Sequence, residues 1–330
     1  MKHKICVIGA GNMGTALAQL IATNGHYVAL WNYDPKVLQQ IQQTRHSKFL
    51  QKVKLSTKIL PTEDINEAVT GCQVVILAVA SPYIRQVARL IGPALERDAI
   101  VVNVAKGIEA KTDLIMCAVI AEEIPFANRR FLTDLSGPSL ADEFAKGAPT
   151  AVVVACKEVR VFPVLRRYLQ SKSFHLVEST DMLGVSFAGV LKNAYAIAIG
   201  MCDGYKYSMN CKALLTTVAV DEMARFMKSI GGKAESAYGL AGVGDLIVTG
   251  FGKSRNRNFG EIMARCNDCQ IAINNAADTV EGVAAAKAIS TIANKRKLNL
   301  PLLKMITNVL FHKKNTKKEL DNFFANVFKK

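Results

Sequence analysis

The sequence predicts an α/β chain in two parts: a parallel, doubly wound sheet in residues 1–179 and an all-α domain in residues 180–330. Three observations lead there. A short apolar strand runs into a glycine-rich turn and a helix at the amino end. Apolar strand-like runs then alternate with helical stretches as far as about residue 155. From about Asp181 strand signals stop and long helical runs take over.

Residues 5–8, Ile-Cys-Val-Ile, lead directly into Gly9-Ala10-Gly11-Asn12-Met13-Gly14 and a helix-forming stretch at 15–23. Gly9 permits a tight exit from the strand, Gly11 leaves room for a pyrophosphate, and Gly14 allows close packing of helix on sheet. The helix start offers free N–H groups and a positive dipole end to phosphates. A second strand, 28–31, delivers Asn32-Tyr33-Asp34, with the acid about 20 residues along, where a ribose hydroxyl is read. Together these make a Rossmann-like cofactor site of Gly9, Gly11, Asn12, Met13, Gly14, Asn32, Tyr33 and Asp34. The bland alternative is a glycine turn without a ligand.

Further strands are expected at 74–79, 99–104, 131–136 and 151–155, with helices such as 81–91 and 112–123 between them. Parallel sheets of this kind bind ligands at strand carboxyl ends. Polar clusters stand there after Val79, at Ala105-Lys106-Gly107 and at Ser136-Gly137-Pro138-Ser139.

At 330 residues and 50% hydrophobic, the chain can bury a sizeable core. Its longest apolar run, 74–80, is too short to span a bilayer, and a strand starts at once, leaving no room for a secretory signal. Eight scattered cysteines fit a reducing cytoplasm, and Cys266-x-x-Cys269 reads as incidental. Five dispersed histidines give no metal site. The net charge of +15 concentrates in an amphipathic stretch from Lys295 to Lys330. Nucleic-acid and membrane-surface roles are open to such a segment, but a solvated basic face is favoured, because no base-reading motif is present.

Ser179-Thr180-Asp181 supplies capping residues for a helix over 182–201 that is apolar almost all round. Its centre holds Lys192-Asn193. That lysine either snorkels to water or serves as a proton donor with a lowered pKa. Asp245 follows a glycine-rich turn, and Ser254-Arg255-Asn256-Arg257 opens another helix. An Arg fork at a helix start can hold phosphate. The alternatives are an ordinary turn carboxylate and a solvated basic loop.

Seven segments in order resemble the NAD(P)-dependent glycerol-3-phosphate dehydrogenases of bacterial type. They are GAGNMGTALA at 9–18, AKGIE at 105–109, SGPSLADE at 136–143, LKNAYAIAIGMCDG at 191–204, GLAGVGDLIVT at 239–249, SRNRNFG at 254–260 and VEGVAAAKA at 280–288. The resemblance implies hydride transfer between a nicotinamide and dihydroxyacetone phosphate, giving sn-glycerol 3-phosphate for phospholipid synthesis. It implies Lys192 as proton donor and acceptor, with Lys106 and Asp245 as catalytic partners. It also implies substrate contacts from Gly137, Ser139, Asn193, Ser254, Arg255 and Asn256. Cofactor contacts follow at Lys106, Ala141, Arg255, Thr279 and Glu281. A cytoplasmic homodimer acting on a small phosphate substrate is implied, with neither nucleic acid nor integral membrane association.

The sequence departs from the family at Met13, where an aromatic residue is common, and at Val218-Ala219, which replaces Arg-Gly. The 245–254 loop is one residue shorter. Asn32-Tyr33-Asp34 offers no cation to a 2′-phosphate, which favours NAD over NADP. Two rival readings remain. One is a sister two-domain reductase of the 3-hydroxyacid or ketopantoate type, against which the SGPS and SRNRNFG segments argue. The other is a catalytically silent dinucleotide-binding protein.

Overall fold

A computed structural model of the chain describes residues 3–267, 272, 274 and 280–329. Contacts group Met1–Ala105 with Leu114–Met182 in one compact unit, and Lys106–Asp113 with Leu183–Lys330 in a second. The segment Lys106–Asp113 thus sides with the helices although it lies within residues 1–179.

The first unit is built on eight strands: β1 (Ile5–Ile8), β2 (Val28–Trp31), β3 (Ile59–Thr62), β4 (Val74–Leu77), β5 (Ile100–Asn103), β6 (Thr133–Ser136), β7 (Thr150–Ala155) and β8 (Phe174–Ser179). They lie in the order β3-β2-β1-β4-β5-β6-β7-β8. Strands β1 to β6 are mutually parallel, as expected, but β7 runs antiparallel to β6, so the sheet is mixed rather than all-parallel. The β6–β7 link holds only one turn of helix, Ala141–Phe144, which is too little to carry the chain back across a sheet face. Strands β3 and β8 were not anticipated. Both lie at sheet edges: β3 contains Pro61, and β8 mixes exposed residues with buried ones, so neither reads as a continuous apolar run.

Helices α1 (Asn12–Thr23), α2 (Pro35–Thr44), α3 (Ile65–Val69), α4 (Ile84–Ile91), α5 (Met116–Glu123), α6 (Phe126–Arg129), α7 (Ala141–Phe144) and α8 (Val161–Leu169) complete this unit. The period of two along each strand sorts the core onto two faces. Val7, Ile76 and Val102 pack with residues of α1, α2 and α8, whereas Cys6, Val75 and Val101 pack with residues of α3, α4 and α5. Both faces are covered, as a doubly wound sheet requires.

The second unit contains α9 (Met182–Gly204), α10 (Met209–Ser229), α11 (Glu235–Tyr238), α12 (Asp245–Phe251), α13 (Arg255–Cys266), α14 (Glu281–Lys295), α15 (Pro301–Phe311) and α16 (Thr316–Asn326). Helix α9 starts right after Asp181 and is buried from Gly184 to Cys202. By length and composition it is the one described helix apolar enough to cross a membrane, yet 89% of its most apolar window is buried. Its all-round hydrophobicity is that of a central core helix.

A buried carboxyl fastens this unit. Glu222 on α10 accepts from Leu302 N at 2.6 Å and Leu303 N at 3.0 Å, capping the start of α15, and from Tyr195 Oη at 2.9 Å. Burial pushes its pKa up to about 7, despite those donors. An unfolded Glu releases its proton near pH ~4.3. Between the two values the folded state binds more protons, so stability falls as pH rises through this window, by roughly 3 kcal/mol. Denaturant titrations of wild type and Glu222→Gln from pH 4.5 to 8 should show that slope in wild type and its loss in the variant. A slope that persists in Glu222→Gln would assign it to another group.

Candidate active site

In the first unit the glycine turn is built as its sequence requires. Gly9 sits at φ +112°, its N–H donating to Trp31 O at 2.8 Å, and a Cβ there would lie 2.7 Å from Ala78 O. Gly11 opens α1 without a side-chain cap, and a Cβ on it would meet nothing within 4 Å. The start of α1 therefore offers N–H groups and open space to an anion. Asn32 Oδ1 accepts from Ala10 N at 3.1 Å, tying this turn to the end of β2. Asp34 caps α2, accepting from Lys36 N at 3.0 Å, and Tyr33 is 81% exposed. Met13 packs partly buried against the core. Farther along, Gly137 adopts φ +134°, the buried Ser139 donates to Gly137 O at 3.1 Å, and Ala141 begins α7. These groups fit a dinucleotide: an approachable backbone, an uncapped helix start and a carboxylate just past the end of the second strand.

In the second unit, three charges meet at one point. Asp245 Oδ2 lies 2.5 Å from Lys106 Nζ, and its Oδ1 lies 3.1 Å from Lys192 Nζ. Lys192 also donates to Thr249 Oγ1 at 2.7 Å. An ordinary turn residue is only the alternative reading of Asp245, which the family resemblance makes a catalytic partner. In the structure it begins α12, directly after a π-helical turn at Leu240–Gly244. Helical spacing then puts Thr249 one turn beyond it on the same face, and both reach Lys192. Lys192, Asp245 and Thr249 are all buried. Burial lowers the Lys192 pKa, the Asp245 carboxylate partly offsets this, and the second ammonium of Lys106 adds to the depression. For Asp245 burial works upward, but the two flanking ammoniums outweigh it and hold the carboxyl below its usual value. One carboxylate between two ammoniums leaves this trio with a single net positive charge, suited to an anionic oxygen.

An amide chain extends from this trio. Asn193 donates to Lys106 O at 3.4 Å and to Glu281 Oε2 at 3.3 Å. Asn256 donates to Asn193 Oδ1 at 2.9 Å and accepts from Gly282 N at 2.9 Å. Ser254 caps α13, accepting from Arg257 N at 3.1 Å, and Arg255 is exposed in the first turn of that helix. Arg257 points elsewhere, pairing with Asp203 at 2.6 Å. Thr279 lies outside the described residues, as does Cys269 of the Cys-x-x-Cys pair.

Two family models cover most of the chain: NAD-dependent glycerol-3-phosphate dehydrogenase N-terminus over residues 4–161 and its C-terminus over 181–321. The chain is 36% identical over 310 residues to a glycerol-3-phosphate dehydrogenase (NAD(P)+) of Clostridium perfringens, covering 93% of each. It is 37% identical over 314 residues to that of Fusobacterium nucleatum, covering 94% of this chain and 93% of the relative. The chain belongs to the NAD-dependent glycerol-3-phosphate dehydrogenase family.

As a member, it is an oxidoreductase acting on a CH–OH group with NAD(P) as acceptor, and the NAD(P)-binding Rossmann domain is present. The glycerol-3-phosphate dehydrogenase structure from Coxiella burnetii matches at 29% identity with a TM-score of 0.89, covering 98% of this chain and 99% of that one. A ketopantoate reductase from Ralstonia eutropha shares the fold alone, at 15% identity and a TM-score of 0.62 over 96% of this chain and 99% of that one.

Within this family member the structure brings together Lys106, Lys192, Asn193, Asp245, Asn256 and Glu281. It uses the Ser254 hydroxyl as a helix cap and seals both ends of the Asn256 amide against protein groups. Thr249 is the residue that sequence reasoning passed over. The signal was the i, i+4 spacing from Asp245, visible only once that stretch is known to be helical.

Proposed function

We propose that the chain interconverts dihydroxyacetone phosphate and sn-glycerol 3-phosphate with NAD(H) or NADP(H), supplying glycerol 3-phosphate for phospholipid synthesis. The observation that carries this reading is the buried Asp245–Lys192–Thr249 cluster, paired with the half-buried Lys106, in a chain of this family. When bound, the nicotinamide supplies hydride to the substrate C2, or accepts it in the reverse direction. Lys192 gives its proton to the carbonyl oxygen during reduction and recovers it during oxidation. Burial makes that proton easier to release, while Asp245 and Thr249 hold Nζ in one position. Lys106 places a second ammonium beside the developing oxyanion. Arg255, at the exposed start of α13, grips the phosphate with Ser254, and Asn256 positions Asn193. Gripping the phosphate converts remote binding energy into alignment of C2.

Gly9, Gly11, Asn12, Met13, Gly14, Asn32, Tyr33 and Asp34 hold the dinucleotide, with Ala141, Thr279 and Glu281 as further contacts. Gly137 and Ser139 contact the substrate. Asp34 and the absence of a cation at 32–34 favour NAD. The enzyme works as a cytoplasmic homodimer.

The test is oxidation of NADH and of NADPH with dihydroxyacetone phosphate, dihydroxyacetone and ketopantoate as alternative acceptors. Turnover should require the phosphate, and kcat/KM should be higher with NADH. Turnover with ketopantoate alone would replace this reading with a sister reductase. No turnover by a folded, cofactor-binding protein would replace it with a silent binder.

A further inference from the structure

The closing helices carry a surface that the proposed reaction does not use. From Lys295 onward the chain has ten Lys or Arg against two acids, more than half of its net charge of +15. Helices α15 and α16 fold back on each other across residues 312–315, with Asn308 Nδ2 donating to Glu319 Oε2 at 2.8 Å. Helix α16 buries Thr316, Leu320 and Phe323. Helical spacing places Lys318, Asn322 and Ala325 on the opposite side, continued by Lys329 just beyond the helix, and all four are exposed. Helix α15 exposes only Lys304 and Phe311, seven residues apart, and the link between the helices exposes Lys313 and Lys314.

Both acids of the hairpin are engaged. Glu319 accepts from Asn308, and Asp321 pairs with Lys317 at 2.9 Å. Among the described residues, Lys304, Lys313, Lys314, Lys318 and Lys329 join no ion pair. Two large apolar side chains stand among these lysines, Phe328 at 75% exposure and Phe311 at 39%.

We propose that this face docks on an anionic lipid bilayer. Its chemistry separates lipid from nucleic acid. The outward cations are all lysines, point charges on flexible stems that suit a diffuse anionic plane. The hairpin itself, residues 301–329, carries no arginine and so no bidentate fork to read individual phosphates; Arg296 lies in the preceding turn, where it donates to Ser229 O. Exposed phenylalanines beside lysines supply the second, apolar signal that stable interfacial anchoring needs.

The test is sedimentation of the full-length protein with vesicles of phosphatidylcholine, and of phosphatidylcholine and phosphatidylglycerol in equal parts. Binding should appear only with phosphatidylglycerol and weaken as salt rises. Each lysine at such a surface contributes about fivefold. Lys313→Glu/Lys314→Glu/Lys318→Glu should therefore lower the partition coefficient by about a hundredfold or more. Phe328→Ser should lower it without changing the salt dependence, and both variants should keep wild-type kcat. A charge-matched control, Lys48→Glu/Lys52→Glu/Lys54→Glu, alters exposed lysines of the first unit and should keep vesicle binding. Equal binding to pure phosphatidylcholine, no binding to either vesicle, or an equal loss in the control would overturn the proposal. So would tighter binding to a duplex oligonucleotide than to the anionic vesicles.

Discussion

Lys192→Met is expected to lower kcat for dihydroxyacetone phosphate reduction by about 10³-fold or more, with the cofactor KM within about twofold of wild type. The variant removes both the proton and the positive charge that Asp245 and Thr249 hold in place. Folding should survive, because Asp245 keeps its partner in Lys106 at 2.5 Å and Met fills most of the volume of the lysine stem. Asp245→Asn is a different experiment. It leaves two ammoniums facing each other with no carboxylate between them, so stability should drop along with activity. Steady-state kinetics together with denaturant unfolding separate the two cases. A Lys192→Met enzyme within tenfold of wild type would remove Lys192 as the acid.

The pH dependence carries a second sign. With Lys192 as the proposed acid, the rate of reduction should fall as pH rises through the lowered pKa, and oxidation should rise over the same range. Asp245 favours the protonated form. Any residual reduction by Asp245→Asn should therefore lose its rate at a lower pH than wild type does. A basic limb that stays in place in this variant would mean that another group sets it.

The cofactor half was legible in the sequence because each of its demands is local. A turn that needs positive φ at Gly9, an open approach at Gly11 and an acid one strand later all fall within 26 residues of each other. The Lys192 charge cluster was only half legible. Lys192 stood out as a charge within an apolar helix, but snorkelling and catalysis have the same local signature. Its partners come from elsewhere in the chain, Asp245 lying 53 residues and Lys106 86 residues away. No periodicity announces such a meeting, and the family resemblance was what pointed to it. Glu222 was invisible for the same reason: its donors belong to Leu302 and Leu303, 80 residues on. The antiparallel β7 escaped because strand patterns encode burial, not direction, and the edge strands because half their surface faces water.

Gly260→Ala is expected to destabilise the second unit by about 3 kcal/mol or more and to lower kcat at least tenfold. The reason lies in how closely α9 and α13 approach. A Cβ on Gly260 would sit 2.0 Å from Ile197 O, and one on Gly200 would sit 1.9 Å from Arg257 O. Gly204 repeats the contact one turn later, with Ala264 Cβ and Glu261 O both at 2.6 Å. The opposing atoms are mostly backbone carbonyls, which cannot swing aside as a side chain can, so the two helices must separate. One turn back along both helices lie Asn193 and Asn256, joined at 2.9 Å. Separation that relieves the clash at Gly260 lengthens that bond and loosens the Asn193 amide from Glu281 and the Lys106 carbonyl. The glycines thus hold helix packing and site geometry together. Urea unfolding and kinetics of Gly260→Ala and Gly200→Ala, measured side by side, check the coupling. Both variants should lose stability and kcat together. Full stability in either would mean that the helices lie farther apart than these contacts require, and full kcat in an unstable variant would uncouple the Asn193–Asn256 bond from catalysis.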